Sequence, residues 1–374
     1  MLPEHKEVVS NLIQNWKEDA PKYLGKEEYY PDFLAFFKRE MDTRHGGRRY
    51  EEVVNEYLFA GTPEADDLLV RLYSGFLHPL IQLMYGLEWK QPAIVAEGLA
   101  QAAVHGDDIG PSYLLPAEEA AKSRKQGEMG KILDLLERGV RQNEKLAKAA
   151  QMKDGNKIRD GILKRAREEA VELASKVNLK RTEEELKERT REMYDAAVFM
   201  ASAAALVKRE KKKKGPRFDF FLMHHVTSAP FFTTVNSQDW ISLGTKVRLL
   251  EWKIRMDLVQ YAARGAPELS LDAIASYQPK PKEKAAGSPE GELTINFSVS
   301  FGVVGIVIDV RNRNHLQQPS LLRGRRPCYQ AGQGCTNLST LLPDKRRRVL
   351  EQDLSLDRRL GTGAGAELGK ELWV

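Results

Sequence analysis

The feature that most constrains this fold is the recurrence of apolar residues at intervals of three and four positions. The pattern runs through most of residues 1–276 and ends in a long amphipathic segment between Trp240 and Gly265. Apolar residues at that spacing lie on one face of an α-helix. Gly265 and Pro267 would end the last helix. The pattern therefore predicts a mainly α protein whose helices form a single large domain, a bundle-like array of many helices.

Two prolines mark helix starts in the first third of the chain. Thr62 precedes Pro63, which predicts an N-cap residue followed by a first-turn proline. Pro79 interrupts a second apolar run and should either restart or kink its helix. Aromatic residues at near-helical spacing predict short helices within residues 1–60.

The composition changes twice along the chain. Residues 117–214 are rich in charge, and we interpret them as a helical insertion within a domain spanning residues 1–276. Residues 277–374 begin with linker composition, followed by INFSVSFGVVGIVIDV, a β-branched stretch that predicts a strand pair. The remainder has neither a helical nor a strand period. It predicts an irregular, poorly ordered C-terminal tail, and whether this tail is homologous to any family segment is left open.

Charge, apolar runs and cysteine content bear on whether the protein binds nucleic acid, spans a membrane or is secreted. The net charge is +5, and the lysine run at 208–214 is interpreted as a solvated loop because no aromatic residues interleave with it. For the same reason we do not expect nucleic-acid binding. The sequence has no apolar run of about 18 residues, so we expect no membrane span. Two cysteines and an N-terminus without a secretory pattern favour a cytoplasmic protein.

Histidines among apolar residues are the main candidates for chemistry. His78 precedes Pro79, and Gln82 and Tyr85 would share its helix face. His78 is either a core histidine bonded to a carbonyl or a group that points into a cavity. Glu97, Gln101 and His105 form a polar stripe at intervals of four residues. They either satisfy one another and their neighbours or line a polar pocket.

His224 and His225 are adjacent in an aromatic-rich segment. On a helix they point about 100° apart, so we expect one of them to face a given site. They are the strongest single candidates for metal binding or acid–base chemistry. Lys246 and Lys253 share a face of the predicted last helix and are interpreted as a solvated lysine stripe. The sequence contains no glycine-rich dinucleotide fingerprint, P-loop or HExxH motif.

Three segments in the same order resemble the questin oxidase-like family. They are RLYSGFLHPLIQLMYGLEWKQPAIVAEGLAQAAVH, FDFFLMHHVTSAPFF and KVRLLEWKIRMDLVQYAARGAPEL, and the resemblance covers about residues 1–270. It implies a mostly helical oxidoreductase of fungal secondary metabolism. The expected reaction is oxidative ring cleavage of an anthraquinone-like aromatic polyketide, described either as Baeyer–Villiger oxidation with NADPH or as iron-dependent.

The resemblance also implies roles for particular residues. His78 and His224 would be metal ligands, and His224, His225 and His105 are the candidate catalytic residues. The substrate pocket is expected to include an acidic, an amide and three aromatic side chains: Glu97, Gln101, Tyr85, Trp89 and Phe221.

Two parts of the family pattern are missing here, which leaves an alternative open. The family has an upstream asparagine–histidine motif, and we expect this chain to begin downstream of it. It also has a later aspartate–glycine–histidine motif with a nearby lysine, and the tail replaces that region here. The alternative is an inactive truncated fragment or pseudoenzyme that retains a ligand-binding helical core.

Overall fold

The computed structural model describes residues 3–42, 46–206 and 216–278, together with the backbone of strands at 293–300 and 303–310. The α-helices are α1 Pro3–Gln14, α2 Trp16–Tyr23, α3 Tyr30–Glu40, α4 Tyr50–Val54, α5 Pro63–Leu72, α6 His78–Glu88, α7 Pro92–Val104, α8 Leu115–Ala121, α9 Ile132–Asp134, α10 Glu144–Ala147, α11 Leu163–Arg165, α12 Arg167–Ala174, α13 Glu183–Leu206, α14 Phe220–Thr227, α15 Pro230–Asn236, α16 Leu243–Ala263 and α17 Leu271–Ala275. The prediction of a mainly α fold is confirmed.

Shorter helical segments connect several of these helices. The 3₁₀ turns are Glu27–Tyr29 and Gly75–Leu77. The π-helical segments are Asn55–Phe59, Gly110–Leu114, Leu135–Arg141 and Lys157–Ile162. Three of the four π-helical segments lie within residues 110–162, where the charged sequence forms short irregular helices rather than long ones.

The aromatic residues near the N-terminus form one packed cluster. The indole of Trp16 stacks on Phe36 with ring centroids 5.1 Å apart, and Tyr57 meets it edge-on at 4.8 Å. Phe33 and Phe37 on α3 are fully buried against the same indole. The near-helical spacing of these residues therefore places them on the inner faces of α2 and α3, as short amphipathic helices require.

Both proline signals are confirmed. Thr62 caps α5, because its side-chain Oγ1 accepts a hydrogen bond from the backbone N–H of Ala65 at 3.2 Å. Pro79 restarts rather than kinks its helix: α5 ends at Leu72, and α6 begins at His78 with Pro79 in its first turn. The Tyr73 hydroxyl donates to the Leu249 carbonyl at 2.7 Å and ties this junction to α16.

Helices α6 and α7 form a tight antiparallel pair. A methyl group at Gly86 would lie 2.6 Å from the Val95 backbone nitrogen, and one at Gly98 would lie 2.8 Å from the Leu83 nitrogen. Only glycine permits backbones to approach this closely. The pair is a rigid support for His78 at the start of α6.

Helix α16 lies at the centre of the helical core. All its residues from Trp252 to Ala263 are buried. The prediction that Lys246 and Lys253 form a solvated stripe is wrong, because they are only 6% and 0% exposed. The Lys246 ammonium group donates a hydrogen bond to the Asn236 carbonyl at 3.0 Å, so the side chain lies against the neighbouring helix rather than in solvent.

The predicted strand pair is confirmed. Strands β1 Leu293–Ser300 and β2 Val303–Val310 form an antiparallel hairpin in which Leu293 pairs with Val310. The lysine run at 208–214 and the tail beyond residue 310 lie outside the described residues. The domain boundary near residue 276 stays a prediction. Within the described ranges, none of the helices has the length and apolar character needed to cross a bilayer.

Candidate active site

A strained turn presents His78. Gly75, Phe76 and Leu77 all have positive φ angles, of 54°, 56° and 66°. The left-handed region is costly for residues with a side chain, so two of them in succession require support from surrounding contacts. The chain then enters α6 at His78, and Pro79 occupies the first turn. The histidine therefore lies at a helix entrance, half-buried, as its position before the proline predicts.

Helix α14 presents the second histidine, and its start is capped. The Asp219 side chain accepts hydrogen bonds from the backbone N–H groups of Phe221 and Leu222 at 3.0 and 3.2 Å. This satisfies two of the unpaired donors that begin any helix. Arg264 donates to the other Asp219 oxygen through Nε and Nη2 at 2.9 and 2.6 Å. The cap is therefore held by a side chain just past the end of α16.

The two presented histidines meet. The Nε2 atoms of His78 and His224 lie 2.8 Å apart. The Nδ1 of His224 lies 2.7 Å from the Phe220 carbonyl, which requires the proton on Nδ1 and leaves an acceptor lone pair on Nε2. Burial lowers the pKa of His78, and the neighbouring His224 and His105 lower it further. Both effects favour the neutral form of His78.

Three phenylalanines surround the histidine pair, and we call them the aromatic collar: Phe76, Phe220 and Phe221. The Phe220 ring lies 4.5 Å from the His224 ring, and the Phe76 ring lies 4.9 Å from Phe221. Phe76 and Phe220 are 43% and 62% exposed. Large exposed aromatic side chains beside half-buried imidazoles form an apolar surface that can bind a flat ring.

His225 points away from this pair into the core. It is 2% exposed, and its Nδ1 lies 2.5 Å from Asp257 Oδ1. The ammonium group of Lys253 lies 2.5 Å from the same oxygen. Burial lowers the pKa of His225, although hydrogen bonding to Asp257 opposes that shift. The two adjacent histidines therefore face different surroundings, and only His224 reaches His78.

The polar stripe formed by Glu97, Gln101 and His105 contacts two different parts of the fold, helix α6 and the strained turn. Glu97 accepts a hydrogen bond from Gln82 Nε2 on α6 at 2.7 Å. His105 packs beneath the strained turn, with its Nδ1 2.6 Å from the Gln101 carbonyl. Its backbone carbonyl accepts a hydrogen bond from Arg71 Nη1 at 2.6 Å. Glu97 and His105 thus have neighbouring partners, and the alternative that the stripe lines a polar pocket stays a prediction.

The sequence profile of the questin oxidase-like proteins matches residues 2–300. The chain belongs to the questin oxidase-like family. The match runs past residue 276 and includes the first strand of the hairpin.

This questin oxidase-like chain has curated relatives in fungi. It is 41% identical to the Baeyer-Villiger monooxygenase dmxR6 of Cryptosporiopsis sp. over 68% of this chain and 56% of that protein. It is 40% identical to a questin oxidase of Aspergillus fumigatus, over 69% and 56% of the two chains. It is 38% identical to the oxidoreductase AflY of Aspergillus parasiticus, over 69% and 50%. The matched region thus spans little more than half the length of these relatives.

The structure brings some predicted residues of this family member together and separates others. His78, His224 and Phe221 share one surface, and His105 lies directly beneath it. Tyr85, further along α6, and Trp89, just past its end, are exposed. A cavity of 400 Å³ lies near the end of α6, lined by Leu87, Glu88, Lys90, Thr233, Thr234, Ser237 and Gln238. None of the predicted pocket residues lines that cavity, and the predicted pocket stays a prediction.

Four residues at the site were not among the predicted site residues. Phe76 and Phe220 complete the aromatic collar. The sequence signal for them was that each lies a few positions before a histidine of the pair, Phe76 before His78 and Phe220 before His224. Asp257 follows Lys253 by four residues, a spacing that usually marks an exposed ion pair. Arg264 sits next to the glycine that ends α16 and has no distinctive pattern. The buried contacts of these last two depend on how the helices pack.

Gly75 provides a test of the turn. We expect Gly75→Ala to destabilise the protein by about 1–3 kcal/mol for its left-handed backbone, with a further loss from steric overlap. The added methyl would lie 1.9 Å from His105 Nε2, so the imidazole or the turn must move. The midpoint of urea unfolding measures this loss.

Gly61→Ala is the matched control for Gly75→Ala. Gly61 also has a positive φ, of 70°, but an added methyl there would meet nothing within 4 Å. We expect the control to lose stability from backbone strain alone. Equal losses in the two variants would contradict close packing of His105 beneath the turn.

Proposed function

We propose that this chain is an oxidoreductase that cleaves a ring of an anthraquinone-like aromatic polyketide in fungal secondary metabolism. The names of its relatives support this proposal, since they include a questin oxidase and Baeyer-Villiger monooxygenases. The observation that carries it is the approach of two imidazoles, those of His78 and His224, within 2.8 Å on an aromatic surface. Such a pair suits metal binding or proton transfer beside an apolar ring.

We propose that His78 and His224 hold a mononuclear iron through their Nε2 atoms. Imidazole nitrogens lie about 2.0–2.1 Å from a bound metal ion such as zinc, so two of them at a right angle are about 3 Å apart. The observed 2.8 Å fits that separation. The hydrogen bond from His224 Nδ1 to the Phe220 carbonyl fixes the tautomer whose Nε2 carries no proton, as ligating histidines usually require.

The described residues supply two of the donors that such a site needs. Among the described ranges, no group of three or more histidine, cysteine, aspartate or glutamate side chains converges on one point. Two imidazoles leave several coordination positions for water, substrate and oxygen. Iron held there would activate oxygen for reaction with the substrate ring.

NADPH is the second cofactor that the family resemblance implies. The chain contains no glycine-rich dinucleotide fingerprint. The described parts of the chain form helices and one antiparallel hairpin, so they contain no parallel βαβ unit that would place such a fingerprint at a helix start. Iron is therefore the cofactor we propose, and dependence on NADPH is the competing outcome.

We propose that the aromatic collar binds the polyketide. Phe76, Phe220 and Phe221 lie around the histidine pair at centroid distances suited to aromatic stacking and edge contacts. A flat ring system on this surface would place its edge beside His78 and His224. Tyr85 and Trp89 would extend the contact along α6. His105, beneath the turn, would influence the site through the pKa of His78. His225 would influence it by holding α14 in place.

The deciding experiment is elemental analysis of the full chain after anaerobic loading with Fe(II), followed by oxygen uptake with an anthraquinone. We expect near-stoichiometric iron and uptake that needs both iron and substrate. Uptake that needs NADPH and no metal would overturn the iron proposal. Neither iron nor uptake would favour the inactive ligand-binding core. The same measurements on a longer relative show whether the loading conditions work.

A further inference from the structure

Helix α16 carries charged residues toward α14. Lys253 and Asp257 on α16, and Arg264 just beyond its end, are four and eleven positions apart along the chain. At about 100° per residue they fall within roughly 40° of one another on the helix surface. Lys253 and Asp257 are 0% and 2% exposed. Charged groups buried at this depth require specific partners.

The first contact between α16 and α14 is buried and involves His225. Asp257 Oδ1 lies 2.5 Å from both His225 Nδ1 and Lys253 Nζ. Its second oxygen, Oδ2, is buried and has no hydrogen-bond partner among the described residues. A carboxylate that accepts from an imidazole fixes both the ring orientation and the tautomer. Asp257 therefore fixes the orientation of His225 against α16.

The second contact, between Arg264 and Asp219, lies at the start of α14. Arg264 donates twice to Asp219, the residue that caps α14. Its guanidinium group also lies 4.6 Å from the centre of the Phe221 ring. A planar guanidinium that both pairs with a carboxylate and stacks on a ring has little rotational freedom. The contacts at 219 and 225 lie on either side of His224.

We propose that Asp257 and Arg264 are positioning residues that set the rotation of α14, so that His224 rather than His225 faces His78. Adjacent residues on a helix differ by about 100°, so rotation of an eight-residue helix would replace one imidazole by the other or remove both. Two contacts from one rigid, buried helix prevent that rotation. The inference rests on the proposed function only where metal binding is the readout.

Two double variants separate positioning from the burial of charge. Lys253→Met with Asp257→Leu removes both buried charges and leaves His225 without its acceptor. Lys253→Met with Asp257→Asn also removes both charges but keeps an oxygen for His225 Nδ1. Replacing a buried ion pair by apolar groups is often neutral for stability, so both variants should fold.

The probe is Co(II), titrated into the full chain and followed by its visible absorption spectrum. We expect the leucine variant to bind Co(II) about 10- to 100-fold more weakly than the wild type, and the asparagine variant to bind nearly as tightly. Arg264→Gln should also weaken binding about tenfold or more. Equal affinity in all variants would overturn the inference, and Arg264→Gln still tests it if the leucine variant does not fold.

Arg248→Gln is the matched control. Arg248 is on α16 and also pairs with carboxylates, those of Asp66 and Glu118, but not on the face that meets α14. We expect its Co(II) affinity to equal that of the wild type. Weakening as large as that of Arg264→Gln would mean that any lost ion pair on α16 disturbs the site, and would overturn the inference.

Failure of the proposed metal site gives a different result. If the wild type binds no Co(II), the proposed metal site is wrong. The readout for the positioning role is then the distance between the Nε2 atoms of His78 and His224. Crystal structures of the variants should then keep the contact in the asparagine variant and lose it in the leucine variant. An unchanged pair in the leucine variant would overturn the positioning role.

Discussion

We expect His224→Ala to lower bound iron from near-stoichiometric to background and oxygen-dependent turnover by about 100-fold or more. The substitution removes one of the two imidazoles that meet at 2.8 Å, and the remaining His78 would be a single donor. His78→Ala should have the same effect. His224 is half-buried near a helix end, so its loss should change the unfolding midpoint little. Elemental analysis and oxygen uptake give the two readouts.

Thr227→Ala is the control for His224→Ala. Thr227 is exposed on the same helix, three residues after His224. We expect unchanged iron content and turnover in this variant. Unchanged iron in both histidine variants would exclude them as ligands. Iron retained with turnover lost would instead assign them to acid–base chemistry.

Phe36→Ala should destabilise the protein by about 3–5 kcal/mol, the usual cost of truncating a buried aromatic residue to alanine. Phe36 is fully buried and contacts Trp16, Phe37 and Tyr57. Its loss leaves a cavity at the centre of the aromatic cluster, which three helical segments share. The shift of the urea unfolding midpoint measures this loss.

Phe220→Ala is the comparison for Phe36→Ala. It removes the same ring from a surface position that is 62% exposed, so we expect a change within about 0.5 kcal/mol. The surface variant should instead weaken binding of an aromatic ligand. A loss below about 1 kcal/mol for Phe36→Ala would contradict the cluster as a main source of stability.

Several helices of this fold were predictable because their signals are local. The cap at Thr62, the restart at Pro79 and the end of α16 near Gly265 each depend on a few neighbouring residues. Backbone hydrogen bonds within one helix connect residues four apart, so short stretches of sequence carry that information. Within the helical insertion predicted at residues 117–214, the positions of the breaks were less predictable, since π-helical segments at Leu135–Arg141 and Lys157–Ile162 interrupt the helices there.

The candidate site was partly predictable. His78 and His224 stood out as histidines among apolar residues, but their contact joins positions 146 residues apart. Spacing along a helix says nothing about which distant helix lies opposite, and family resemblance supplied the pairing. Lys253 was misjudged for the same reason. A lysine four residues before an aspartate usually marks a solvated face, and only the packing around α16 shows that this pair is buried.

The helical class, the strand pair, the caps and the histidines worth testing were all predictable from the sequence, because each depends on residues close together in the chain. Only the packing of the helices shows which histidine faces which partner, how the aromatic collar forms and why a lysine and an aspartate lie in the core. Those features depend on the rotation of whole helices about their axes. That rotation is set by contacts such as Asp257 with His225 and Arg264 with Asp219, which join residues far apart in the chain.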